Sequence, residues 1–394
     1  MPRQKESIAM QAWNLWAILL SFYSFASFAG VSSGPPPVRA QGQVADPMQS
    51  FVTRRGTQLV LQEQNFYYAG TNQYYLFYKS QSMVDRVLGD AKSLGLTVIR
   101  TWGFCDGQWP EGTSLQPSPR VYNEEGFRKL DYVVYKAKQL GLRVILSLVN
   151  NWDDFGGMNQ YVRWSSSAHQ HDDFYSDPET RALFKDYIDY LLWRTNYYTG
   201  VRYRDEPAIL IWELANEPRA ESRRLEDLYR WIDEMASFIK SIDPQHLVST
   251  GSEGEVGSDF IRSHSSPSID VSSFHLYPEH WHMDTESSKA YIRRHAQRSR
   301  TELAKPVYAG EFGIQNKSQR DSIYRSWYQE FDQYDVSGAL FWLLSSRQDD
   351  GSLYPDYDGF TIYSPESQST VPVIRDYSGK VRAKSRTAFR PSAD

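Results

Sequence analysis

From Phe66 onward, short apolar runs alternate with longer stretches whose apolar positions recur every three or four residues. The short runs are YYAGTN, TVIRTWGF, RVILSLVNN, ILIWELANE, HLVSTGSE, VSSFHLYP, VYAGEFG and GALFWLL. They are rich in β-branched and aromatic residues and nearly continuous in apolar character, as parallel strands covered on both faces are. The longer stretches carry helical spacing. Leu225, Leu228, Ile232, Met235, Ile239 and Ile242 form one stripe, and Leu183, Phe184, Tyr187, Ile188, Leu191 and Leu192 form another. Helix boundaries are also written in the chain. Asp177-Pro178-Glu179 places an N-cap, a first-turn proline and a first-turn acid in order, and Asn123 precedes Glu124 and Glu125. Gly95 and Gly141 each follow a leucine and precede a strand, which suits the residue just past a helix end. Eight strands alternating with helices, with no repeat of 20–50 residues and no glycine-rich phosphate turn, predict a single (β/α)8 TIM barrel of class α/β. The last helix is the weakest element of this pattern. The expected catalytic domain is 47–375, and 376–394 reads as a polar tail.

The N-terminal stretch follows a different pattern. Arg3 and Lys5 precede the mostly apolar Ala12–Val31, with small residues near Ala29 and Ala40. Residues 1–40 are therefore expected to be a signal peptide and a Pro-rich linker, with a retained signal anchor as the alternative. A secreted, extracellular protein of the cell wall follows, with no stable membrane partner once the segment is cleaved. The 394-residue chain has a net charge of −5, which argues against a nucleic-acid partner. Its one cysteine, Cys105, excludes an internal disulfide. Asn316-Lys317-Ser318 is an N-glycosylation sequon. Twelve Trp and 27 Tyr suffice to line a groove as well as a core.

Active sites of such barrels lie at the C-terminal strand ends. Those ends read Arg100-Thr101-Trp102, Asn150-Asn151-Trp152, Asn216-Glu217-Pro218, His275-Leu276-Tyr277-Pro278, Gly310-Glu311-Phe312-Gly313 and Phe341-Trp342. A polar, ionisable or aromatic group follows an apolar run each time, which a purely structural barrel does not need. Glu217 and Glu311, on the fourth and seventh strands, match the carboxyl pair of glycoside hydrolysis: one protonates the leaving oxygen, the other attacks the anomeric carbon or positions a water. Arg100 and Tyr277 can hold a nucleophile ionised, and burial beside an anion raises an acid. Asn216 suits a sugar 2-hydroxyl, His275 a hydrogen bond in the same site, and Trp342 the floor under a sugar ring. His275, His280 and His282 lie close in sequence, but no metal-ligand spacing is present, so no metal is expected.

These motifs resemble the retaining glycosidases built on this barrel. More narrowly, the chain is similar to the endo-β-1,4-mannanases of glycoside hydrolase family 5, in the branch shared by plants and fungi. The stretches that carry the resemblance are RTWGFCDGQW, LQPSPRVYNEEGFRKLDYVVYKAKQLGLRVILSLVNNWDDFGGMNQYVRW, DEPAILIWELANEPR, FHLYPEHW and PDYDGF, and it covers roughly Phe51 to Thr361. The resemblance implies a double displacement with retention, Glu217 as acid/base and Glu311 as nucleophile. It places Arg100, Asn216, His275, Tyr277 and Trp342 around them, and Trp102 and Asn150 near the substrate. It implies no cofactor, mannan poly- and oligosaccharides as partners, and carboxyl groups about 5–5.5 Å apart. A monomer is expected, with the oligomeric state open. Ala220 and Cys105 depart from the family pattern, away from the chemistry. Trp152, Tyr161 and Trp164 are expected to serve outer subsites if exposed. A β-1,4-glucanase, a mannan transglycosylase and a non-catalytic carbohydrate-binding protein are the alternatives.

Overall fold

A computed structural model describes residues 46–109, 114–222 and 224–389. The expected signal segment and linker, 1–40, lies outside the described residues. Among those residues, no helix is long and apolar enough to cross a membrane.

The eight predicted strands all form: β1 Tyr68–Asn72, β2 Val98–Trp102, β3 Arg143–Ser147, β4 Ile209–Glu213, β5 Leu247–Ser249, β6 Ser272–Leu276, β7 Val307–Phe312 and β8 Gly338–Phe341. They pair in parallel in the order β5-β4-β3-β2-β1-β8-β7-β6. A parallel bridge from Ser249 to Val271 joins the two ends and closes the barrel. The outer helices are α1 Gln81–Ser93, α2 Glu124–Leu140, α3 Pro178–Trp193, α4 Leu225–Ile242, α5 Phe260–His264, α6 Thr285–Glu302, α7 Lys317–Gln333 and α8 Thr370–Ser385. The local signals work as read. Asp177 accepts from Thr180 N and Asn123 from Glu125 N, and Gly95 and Gly141 take the left-handed φ of +78° and +70° that glycine adopts without strain.

Two apolar layers follow from the period of two along each strand. Tyr68, Val98, Ile145, Ile211, Leu247, Tyr308 and Leu340 form a small inner cluster. Ala69, Ile99, Val144, Trp212, Val248, Ala309 and Phe341 belong to the larger layer beneath the helices. Three short antiparallel strands, Thr53–Arg55, Gln58–Leu61 and Gln64–Asn65, plug the N-terminal end of the barrel, with Leu59 and Val52, the residue before the first of them, in the inner cluster. The opposite end is left for chemistry.

The tail expected from 376 onward is corrected. The chain there is helical to Ser385, and α8 runs through the expected boundary at 375. Val371, Ile374, Tyr377 and Val381 are buried at helical spacing, and Tyr377 stacks on Tyr328 of α7 with ring centroids 4.0 Å apart. The polar residues that dominate this stretch occupy its outer face.

Candidate active site

Inside the barrel the period of two carries each strand from apolar to ionic. On β2, Val98 faces the inner cluster and Arg100, two residues on, lies above it. On β4, Ile211 is followed by Glu213. Arg100 is fully buried and donates four ways: Nε to Glu213 Oε2 (2.7 Å), Nη1 to Glu311 Oε1 (2.6 Å) and to Asn72 Oδ1 (3.0 Å), and Nη2 to Asn216 Oδ1 (2.8 Å). Tyr308 donates to Glu213 from the facing strand β7. One guanidinium thus ties four strands and fixes the direction of Glu311.

The second oxygen of Glu311 accepts from Tyr277 Oη at 2.6 Å. Glu217 receives Trp152 Nε1 at 2.7 Å on Oε2, and its Oε1 lies 2.7 Å from His275 Nδ1. His275 Nδ1 is also 3.8 Å from Glu311 Oε2. One ligand-type atom from each of Glu217, His275 and Glu311 lies within 4.8 Å of the others. Asn216 spans between Arg100 and Asn150, donating Nδ2 to Asn150 Oδ1 at 3.0 Å. Trp102 lies under the guanidinium of Arg100, 5.1 Å from its ring centre, and 6.0 Å from the ring of Trp342. Trp342 is held by Asp358, its Nε1 donating at 2.7 Å. All nine expected residues therefore converge, and most of them line one cleft of about 750 Å³. Arg100 and His275 lie just beneath its surface, fully buried.

Glu217 has a backbone φ of +53°, a left-handed conformation that costs a non-glycine residue of the order of 1 kcal/mol or more. β4 has already ended at Glu213, and Pro218 keeps the chain from re-entering the sheet after the carboxylate. The acid is turned out of the sheet and into the cleft by a kink.

His275 Nδ1 lies close enough to both carboxyl groups, 2.7 Å from Glu217 and 3.8 Å from Glu311, for the charge of each group to act on the others. Burial raises Glu311 above its ordinary value; the charge of Glu217 adds to this, while His275, Arg100 and Tyr277 pull the other way. At Glu217 burial is outweighed by the bond to His275, its charge, the Trp152 donor and Arg219, and the carboxyl lies below its ordinary value. His275 is raised in spite of burial, by the charge of Glu311 and its bond to Glu217.

Sequence reading missed several groups. Glu213 sits inside an apolar strand and is invisible until the strand direction is known. Glu253, after β5, is buried and takes both Arg219 contacts, Nε at 2.6 Å and Nη2 at 2.8 Å. Burial, then the charge of Glu217, push Glu253 up to about 7. Its signal was an acid following the fifth strand, a strand end left out of the sequence reading. Tyr74 and Asp358 also line the cleft. The expected aromatic trio divides. Trp152 is 37% exposed in the cleft, whereas Tyr161 is fully buried and donates to Asp106, and Trp164 packs on Tyr161. Tyr161 is corrected to a core role because it lies on the buried apolar face of the short helix Gly157–Trp164, and Trp164, half-buried at the end of that helix, is outside the cleft lining. His280 lies at the cleft edge, stacked on Tyr277.

The family description "GH family 5 beta-mannosidase-like" matches residues 49–341. The putative mannan endo-1,4-beta-mannosidase 4 of Arabidopsis thaliana is 36% identical over 386 residues, covering 86% of this chain and 93% of its own. The mannan endo-1,4-beta-mannosidase 2 of Oryza sativa subsp. japonica is 36% identical over 388 residues, covering 84% of each. Among solved structures, the endo-1,4-beta-mannanase of Rhizomucor miehei superposes with a TM-score of 0.76 at 34% identity, covering 84% of this chain and 100% of that one. The endo-beta-1,4-mannanase of Thermotoga petrophila does so with 0.75 at 40% identity, covering 80% and 77%. With its closed barrel, paired carboxylates and these relatives, the chain belongs to glycoside hydrolase family 5, in the β-mannosidase-like group.

Proposed function

We propose that this glycoside hydrolase cleaves internal β-1,4-mannosidic bonds of mannan, glucomannan and galactomannan with retention, Glu217 serving as acid/base and Glu311 as nucleophile. The observation that carries the reading is the spacing of the two carboxylates, whose nearest oxygens lie within 4.8 Å with His275 between them. A contact this close suits a retaining pair, in which one carboxylate attacks directly, better than an inverting pair, which holds a water between its carboxyl groups. The different partners of the two groups divide the labour. Glu311 has a guanidinium and a phenol aimed at its oxygens, which fix it for attack on the anomeric carbon. Glu217 shares a 2.7 Å hydrogen bond with His275, a contact across which a proton can pass.

The reaction then runs in two steps. Glu311 attacks the anomeric carbon, the glycosidic bond breaks, and Glu217 protonates the departing oxygen with a proton drawn across the His275 contact. Ester formation removes the charge of Glu311, which lowers the proton affinity of Glu217 and turns it into the base that activates water. Water displaces Glu311 and returns the proton. Aromatic side chains at the cleft, among them Trp102, Trp342 and the 77%-exposed Tyr357, offer flat faces to sugar rings on a polymer. The apolar Ala12–Val31 supports export to the wall, where such polymers lie.

The test compares the protein with its Glu311→Ala variant on galactomannan, glucomannan and carboxymethyl cellulose, following viscosity against reducing ends. A viscosity drop that outruns reducing ends on the mannans, reduced at least ~10³-fold in the variant, is expected. Equal action on the cellulose derivative makes the protein a glucanase. Binding without turnover makes it a carbohydrate-binding protein.

A further inference from the structure

The turn that carries Glu217 is strained and needs something to hold it. Its partners come from two separate pieces of the loop between β3 and α3. Asn151 N donates to Asn216 O at 3.0 Å, and Asn151 Oδ1 accepts from Arg219 N at 3.0 Å. Farther along the same loop, Asp172 accepts from Glu221 N (3.0 Å), Ser222 N (2.7 Å) and the Ser222 hydroxyl. Tyr175 Oη donates to Arg219 O at 2.8 Å. The segment 216–222 is thus gripped near both ends.

His171 joins the two grips. Its Nδ1 lies 2.9 Å from Asp172 Oδ1 and its Nε2 lies 3.1 Å from the backbone carbonyl of Asn151. A carboxylate and a carbonyl only accept, so both ring nitrogens donate, and the ring that makes both bonds is an imidazolium. We propose that His171 is a positioning residue: as an imidazolium bridging Asp172 and the Asn151 carbonyl, it locks the strained turn that aims Glu217. Trp152, the donor to Glu217, follows Asn151 directly, so the same bridge sets both sides of the acid.

The surroundings agree with a charged ring. Burial lowers the proton affinity of His171, but the bond to Asp172, the charge of Glu221 and the Asn151 carbonyl together raise it above the ordinary value. The other groups near it are already satisfied. Arg219 is held by Glu253, Asp173 by Arg224 Nη1, and the Tyr175 ring lies 6.1 Å away with its hydroxyl on Arg219 O. A group raised in this way holds its contacts fully at low pH and loses them as pH climbs through its raised value. The clamp therefore loosens on the alkaline side. No titratable group of the catalytic pair is needed for this, although the consequence for rate rests on Glu217 as the acid/base.

Two variants test it, His171→Gln, which is neutral and whose single amide nitrogen cannot stand in both ring-nitrogen positions, and His171→Arg, which restores a charged double donor. On galactomannan at pH 6, His171→Gln is expected to lose about tenfold in kcat with KM within twofold, and to show a changed alkaline limb of kcat against pH. His171→Arg is expected to recover most of that loss. Ring nitrogen NMR is expected to show His171 doubly protonated at pH 6. Wild-type kcat and pH profile in His171→Gln, or a neutral His171 at pH 6, overturns the proposal. So does equal loss in both variants that tracks a common fall in Tm, which marks a merely structural residue. Azide rescue of Glu217→Ala on an aryl mannoside separates the two readings: its absence sinks the acid/base assignment, whatever His171 does.

Discussion

Two buried arginines in this barrel face the same electrostatic problem and solve it to different ends. Arg100, inside the barrel, faces Glu213 and Glu311. Arg194, just past α3, faces Asp131 of α2 and Glu124 at that helix's start. Each is one guanidinium against two carboxylates, and each has one carboxylate fully buried, Glu213 in one case and Asp131 in the other. The difference is the second carboxylate. Glu124 opens to solvent, its side chain 53% exposed, whereas Glu311 opens only into the cleft. Asp131 is saturated as well: Tyr203 Oη and Tyr197 N fill the positions that Arg194 leaves. The Arg194 cluster joins two helices and finishes there. The Arg100 cluster holds a charged carboxylate at the edge of a place where a substrate can enter. Buried ion pairs are weak evidence for stability and better evidence for a fixed geometry, and here the same device yields a strut in one place and a reactive group in the other.

Arg100→Met gives the largest effect. It strands the fully buried Glu213 without a counter-charge, leaves Glu311 only His275 at 3.8 Å, and is expected to destabilise the fold by about 3–5 kcal/mol. The loss of the group that aims Glu311 is expected to lower kcat on galactomannan by roughly 10²–10³-fold. Chemical denaturation and steady-state rates on one preparation measure both, and an active Arg100→Met protein would break the comparison. Arg194→Met comes next. It is expected to cost about 3 kcal/mol for the unpaired Asp131, with kcat unchanged within twofold below the melting transition. A fall in kcat without a fall in Tm would show that this strut reaches the site. Glu124→Gln is the smallest, less than about 1 kcal/mol because the carboxylate is half in water. The bond from Arg194, and then its charge, hold Glu124 below its ordinary value against mild burial. That contribution is present above pH about 4.5, the ordinary value, and is lost as pH falls through the lowered one. The Tm difference between Glu124→Gln and the parent is therefore expected to vanish in acid. A difference that survives there would place its origin in packing instead.

Much of this molecule was legible along the chain because local rules wrote it. The eight strands were apolar runs, and helix starts at Asn123 and Asp177 followed from capping chemistry that needs only neighbouring residues. The strand ends named Glu217, Glu311 and their companions, since a barrel places those ends together whatever the rest does. Other positions resisted. α8 hid its buried stripe of Val371, Ile374, Tyr377 and Val381 among residues that serve its solvent face. Tyr161 and Trp164 shared a loop with Trp152, and sequence held nothing to say that a short helix would turn them inward.

What the sequence determined by itself was the alternation, the caps and the presence of two carboxylates at strand ends. Those depend on contacts within a few residues. Tertiary structure alone decided that Glu213 would share Arg100 with Glu311, that Glu253 would reach Arg219, and that His171 would bridge Asn151 to Asp172 beside a strained Glu217. Each of these joins residues far apart along the chain. Their partners are chosen by closure of the barrel, and the cost of burying a charge or a polar group without an acceptor enforces the choice only once the barrel has closed.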